Sequence, residues 1–225
     1  MASPSPAKRR LAGWTLHFSP RLLKDDHSGT QRALALLKKQ LEAIARVVPA
    51  KALTRLRQVP LWLSPPYPGF PPKAEYHPDA SWLRQHGRDP EMAKSVEFTN
   101  TAILEREISR IPWLVLHELA HAYHDRVLGD DPQIRAAFKR AAASGTYDAV
   151  RRRHEDGRAE TLERSYAMAN EQEYFSKSTE AFFGLSEFYP FDRSDLAAHD
   201  PAMERLVRSK WGAGEGGPES SRIGT

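Results

Sequence analysis

Apolar positions along the chain switch between two periods. WTLHF, Trp14 to Phe18, alternates as a half-buried strand does, whereas TQRALALLKKQLEAIARVV, Thr30 to Val48, carries Leu, Ile and Val at helical spacing. QVPLWLS (Gln58 to Ser64) and SVEFTN (Ser95 to Asn100) read as further strands. The intervening PPYPGFPPKAEYHP holds too many prolines for a helix and reads as an ordered surface loop bearing Tyr67, Phe70, Tyr76 and His77. From Thr101 onward the pattern is mostly helical, over about 101–109, 112–128, 131–144, 171–188 and 200–210. These elements predict an α+β fold, a small sheet with a larger helical half.

Length and composition narrow this picture. A chain of 225 residues with 40% hydrophobic content buries one sizeable core, which favours one domain over residues 13–211. The Ser-, Pro- and Lys/Arg-rich start (1–12) and the Gly- and Ser-rich end (212–225) read as disordered tails. The formal charge is +4, but the basic residues lie in short scattered runs such as Lys8 to Arg10 and Arg151 to Arg153, without interleaved aromatics. Such runs are solvated helix faces, and no nucleic-acid partner is expected. No stretch approaches the roughly 18 apolar residues of a membrane span, and no signal-peptide core is visible, so the chain reads as soluble with its compartment undecided. Cysteine is absent, and any metal must therefore be held by His, Glu or Asp.

That last constraint gives weight to IPWLVLHELAHAYHDRVLG, Ile111 to Gly129, where three histidines and a glutamate interrupt an apolar helix. Pro112 suits its first turn and Gly129 its C-terminal cap. His117 and His121 are four apart, so both imidazoles project from one face within reach of one ion. Glu118 is one position round, where its carboxylate reaches a water on that ion. An HExxH arises by chance in roughly 2 to 3% of chains of this composition, so context decides. Leu116, Leu119, Ala120 and Ala122 are uncharged, as a buried helix needs if its polar groups are to be satisfied by a metal. Unpaired, those groups would cost about 1 to 3 kcal/mol each. His124 lies on the same side but at a spacing unusual for a third zinc ligand; it reads as an outer-sphere or surface histidine.

A catalytic zinc keeps three protein ligands and one water. The extension that supplies a third histidine is missing after His121, which favours a glutamate. The dense stretch is SYAMANEQEYFSKSTEAFFG, Ser165 to Gly184, where Glu171, Glu173 and Glu180 fall on a predicted helix and Glu173 and Glu180 share a face.

HELAHAYHD together with YAMANEQEYF resembles the lethal-factor-like microbial zinc metallopeptidases, the group that includes the catalytic domain of anthrax lethal factor. Their pattern has the form Y-x-x-x-N-E-x-E-(F or Y)-F, in which a tyrosine stands seven residues before the glutamate that completes the zinc site. The resemblance implies a zincin-like fold with Tyr166 as the active-site tyrosine, Asn170 as the asparagine and Glu173, rather than Glu180, as the third ligand. It covers about Trp113 to Glu187. The pattern usually continues Ala-Glu, whereas this chain has Ser176 and Lys177. A carboxylate that would support the ligands is thus absent; either Glu180 substitutes for it or zinc is held more weakly.

Residues and resemblance together lead to the expectation of one Zn2+ per chain on His117, His121 and Glu173, with Glu118 as general base and Tyr166 donating to a developing oxyanion. The substrate would be a peptide or protein chain. The glycine-rich amine-recognition segment of the large metallo-aminopeptidases is missing, which points to an endopeptidase, and Ser95 to Asn100 could pair with an extended substrate by edge addition. The alternative from another class is a zinc-containing module that binds a peptide or protein without turnover, and the Lys177 departure is its support. The lesser alternative for Tyr166 is a core tyrosine.

Overall fold

Seven strands and ten α-helices are found among the described residues of the computed structural model, which are 6–71, 73–99, 101 and 104–214. In chain order they are β1 (Ala7–Leu11), β2 (Trp14–Phe18), α1 (Pro20–Asp25), α2 (His27–Val47), α3 (Ala50–Leu56), β3 (Leu61–Ser64), β4 (Ala74–Tyr76), α4 (Ala80–Gln85), β5 (Val96–Thr99), α5 (Leu104–Arg110), α6 (Leu114–Tyr123) and α7 (Pro132–Ser144). A small hairpin, β6 (Val150–Arg152) and β7 (Thr161–Glu163), lies apart from the main sheet, followed by α8 (Glu171–Phe183), α9 (Arg193–His199) and α10 (Pro201–Trp211). The fold is α+β, with a mixed five-stranded sheet and a larger helical half.

The sheet runs in the order β1-β2-β3-β5-β4. β2, β3 and β5 are parallel, and the two edge strands β1 and β4 are antiparallel to their neighbours. LWLS and VEFT are buried at every position because both faces of the central strands are covered, as parallel strands require. The register aligns Leu16, Leu61, Val96 and Tyr76 across four strands, and the first three are fully buried under the helical layer. The opposite face packs a smaller cluster, Trp62, Leu83 and Met92, beneath α4.

The long amphipathic α2 covers the first face with Leu37, Leu41 and Ile44 and touches α6, whose Val115, Leu116 and Leu119 are fully buried. Gln40 Nε2 donates to the Pro112 carbonyl at 2.8 Å, tying α2 to the entry of α6. α8 packs against α6 as its principal partner. Trp211 Nε1 of α10 donates to Thr179 Oγ1 of α8 at 3.1 Å. Where α8 ends, Gly184 lies so close to the Trp113 indole that a Cβ would fall 2.0 Å from it, so only glycine allows the two helix ends to meet.

Several expectations are corrected. Residues 7–11 are not a tail: AKRRL adds to β2 as an edge strand whose side chains are mostly exposed, which leaves no hydrophobic alternation to read. Residues 1–5, and 215–225 of the expected C-terminal tail, lie outside the described residues, while Gly212 closes α10 in the left-handed region. AEYHP is not all loop, since Ala74–Tyr76 forms β4. β5 is not an edge strand; β4 covers it and itself forms the open edge. The metal-helix candidate is shorter than 112–128. Pro112 precedes it in a turn, α6 begins at Leu114, and His124–Leu128 winds as a π turn that ends at Gly129.

Candidate metal centre

α6 and α8 bring three donors to one point. His117 Nε2 and His121 Nε2 lie 3.1 Å apart. Glu173 Oε2 stands 3.1 Å from the first and 3.4 Å from the second. A tetrahedral ion bonded at about 2.0 to 2.1 Å sets its donors roughly 3.3 Å apart, so the triangle fits one such ion. Glu173 Oε2 is buried and makes no hydrogen bond of acceptable geometry despite its closeness to both imidazoles. The three atoms form a group that could hold a metal ion, and among the described residues no other group of three His, Asp or Glu donors is so close. The set is all nitrogen and carboxylate oxygen, which suits zinc and other borderline divalent ions alike.

The electrostatics point the same way. Burial works against the charged form of His117, yet the Glu173 and Glu180 carboxylates override it and hold the imidazole up at about 10. Burial likewise opposes ionisation of Glu173, and the two histidines drive its carboxyl far below the ordinary range. The carboxylates around His117 thus favour positive charge on its imidazole.

Two of the three donors, Glu173 and His117, are supported from behind. Asn170 caps α8, its side-chain oxygen accepting from the Glu173 N–H at 2.8 Å, so the asparagine sets where the ligand helix begins. Glu180 Oε1 lies 2.5 Å from His117 Nδ1 and is wholly buried, fixing which imidazole nitrogen faces the donor triangle. Glu173 and Glu180 thus sit on opposite edges of one imidazole.

Lys177, the departure noted in the sequence, is buried behind them. Its Nζ lies 3.0 Å from Glu180 Oε1 and 2.6 Å from Glu187 Oε2. Burial alone would lower the lysine, but the two carboxylates hold it above its usual range, and Lys177 and His117 in turn overcome the burial of Glu180 to keep it ionised. Glu187 was not anticipated: it lies beyond the end of α8, so no helical period links it to Lys177. Lys177→Met leaves two carboxylates buried without their cation and is expected to cost about 3 to 5 kcal/mol in urea unfolding. A loss under about 1 kcal/mol would show that the triad does not exist in solution.

The donors open onto a cleft of about 1100 Å³ that is also lined by Glu118, Tyr166, Tyr76 and Phe188. Glu118 accepts the backbone N–H of Tyr76 on Oε2 at 2.9 Å. Tyr166 is 51% exposed and is therefore not a core tyrosine; burial first, then the Glu173 and Glu118 carboxylates, push its phenol upward, so it stays protonated at neutral pH. Tyr76 lines the cleft, whereas His77 turns to the other side of the sheet and meets Glu97 at 2.9 Å. His124 is not a surface residue. It is buried against Phe175, ring centroids 5.3 Å apart, with Nδ1 unbonded among the described residues and burial lowering its pKa.

No helix among the described residues is long and apolar enough to cross a membrane. No protein-family model, curated protein or solved structure matches the chain.

Proposed function

We propose that the chain is a zincin-like, zinc-dependent metallopeptidase related to the lethal-factor-like group, with one zinc on His117, His121 and Glu173. The observation that carries this reading is the donor triangle of 3.1 to 3.4 Å standing beside Glu118 in an open cleft. When bound, zinc supplies a Lewis acid for the scissile carbonyl and brings the pKa of its water down to about 7. Glu118 takes the proton of the attacking water and returns it to the leaving amine. The Tyr166 phenol, protonated and exposed to the cleft, donates to the oxygen that becomes negative.

The edge strand supports an extended peptide as substrate. Lys73 and His77, on either side of β4, bond to Thr99 and Ser95, while the Tyr76 N–H points away from β5 to Glu118. By the two-residue period, the backbone groups of Ala74 and the carbonyl of Tyr76 face the cleft, free for strand addition. An interior stretch of peptide fits such an edge, which favours an endopeptidase. The alternative, a zinc module that binds without turnover, drew on Lys177, but that charge is neutralised by Glu180 and Glu187 behind the ligands.

The test is elemental analysis of protein purified in zinc, followed by cleavage of a random peptide library. One zinc per chain and cleavage that a chelator abolishes and added zinc restores are expected. Absence of any transition metal would sink both readings. Stoichiometric zinc with peptide binding and no cleavage would select the binding module.

A further inference from the structure

The helix carrying His117, Glu118 and His121 does not stop at its last donor. A π turn shifts the side chains after it relative to the helical ladder, and His124–Leu128 uses that shift to aim Asp125 and Arg126 at the sheet edge. Asp125 Oδ2 accepts from the Tyr76 phenol at 2.5 Å and from Lys94 Nζ at 2.6 Å. Arg126 Nη1 donates to the Lys94 carbonyl at 2.9 Å, and the Lys94 N–H donates to the His77 carbonyl at 2.7 Å. Lys94 stands at φ 61°, a conformation unfavourable for a residue with a side chain, so its surroundings must impose it.

Glu118 lies in the α-helical part and Asp125 in the π turn that follows it, and both reach Tyr76, Glu118 through the Tyr76 amide and Asp125 through the Tyr76 phenol. Tyr76 is the last residue of a three-residue strand with a neighbour on one side only. The strand packs on α6, with Ala74 and Tyr76 against the main core, and the Tyr76 side chain carries its polar link to the helix end at Asp125.

We infer that Asp125 is a positioning residue: by holding the Tyr76 phenol it fixes the edge strand at the distance where the Tyr76 amide orients the Glu118 carboxylate. The role of Glu118 as a base rests on the metallopeptidase reading; the clamp itself rests on the four contacts alone. A plain surface pair between Asp125 and Lys94, both partly exposed, would contribute little and would not reach Glu118.

The experiment compares zinc-loaded wild type with Asp125→Ala, Tyr76→Phe and the double variant, reading zinc content, kcat and KM on a cleaved peptide, and hydrogen exchange at the Tyr76 amide by NMR. Each single variant keeps its zinc, loses about 10-fold in kcat with KM moved less than about threefold, and speeds Tyr76 exchange about 10-fold, because a displacement of about an ångström suffices to misalign the base. The double variant is no worse than Asp125→Ala alone, since that substitution already removes the Tyr76 phenol bond along with the weaker Lys94 contact. Additive losses, or singles with wild-type kcat and Tyr76 protection, overturn the inference. If the wild type cleaves nothing, the metallopeptidase reading fails by itself, and the exchange arm still decides the clamp: protection unchanged in both singles refutes it.

Discussion

Glu118→Gln keeps the fold and the zinc and loses hydrolysis by about 10²- to 10⁴-fold in kcat. The substitution is nearly isosteric. One side-chain oxygen accepts the Tyr76 N–H at 2.9 Å, and the carboxamide oxygen of glutamine takes over that bond, so β4 and α6 stay where they are. None of the three donor atoms belongs to Glu118, so metal content is unaffected. What disappears is a group able to accept a proton at neutral pH, since a carboxamide is not basic there. The loss falls on kcat with little change in KM, as expected for an interaction made in the transition state. The measurement is steady-state cleavage of one defined peptide by metal-matched proteins. A Glu118→Gln protein with wild-type kcat would remove Glu118 from the chemistry and leave the histidines as a metal site with another purpose.

The parts of this site that a local pattern can carry were legible in the sequence. His117, Glu118 and His121 are related by one helical turn, and α6 delivers them together as the spacing requires. The long α2 and β2 follow from periods of 3.6 and 2, whereas β3 and β5, buried on both faces, were read as strands without such a period. β4 was hidden because its three residues follow a proline-rich loop, and its pairing with β5 depends on a partner some twenty positions away. β1 was hidden because an edge strand with mostly exposed side chains has no apolar period. The same distinction separates Asn170, whose cap acts three residues along the chain, from Lys177, Glu187 and Asp125, whose partners are set by tertiary packing. Lys177 is the sharpest case. In the sequence it marks a missing carboxylate with Glu180 as one possible substitute; the fold brings Glu180 to His117 from one turn further on and shows the lysine compensating its charge.

Helical periodicity set Glu173 and Glu180 on one face without choosing between them, and their contacts now give each a different expected loss. Glu173→Ala removes one of the three donor atoms and leaves two imidazoles and water, so zinc affinity falls by more than about 100-fold, beyond what loss of an outer-sphere partner produces. Glu180→Ala removes a carboxylate that lies 2.5 Å from His117 Nδ1 but touches no face of the donor triangle, and it weakens zinc by roughly 10- to 100-fold. The two also separate in stability. Glu180 is wholly buried and shares Lys177 with Glu187, so its removal disturbs a buried ion network and lowers the apo protein's unfolding free energy by about 3 kcal/mol or more. Glu173 stands at the cleft wall with part of its side chain open to solvent and outside the Lys177 ion network, and its removal costs the apo protein less. Competitive zinc titration against a chelator and urea unfolding of both metal-free variants, with far-ultraviolet circular dichroism to verify the helices, read the two effects independently. A Glu180→Ala protein that loses its zinc while Glu173→Ala retains it would exchange the two roles and refute the donor triangle.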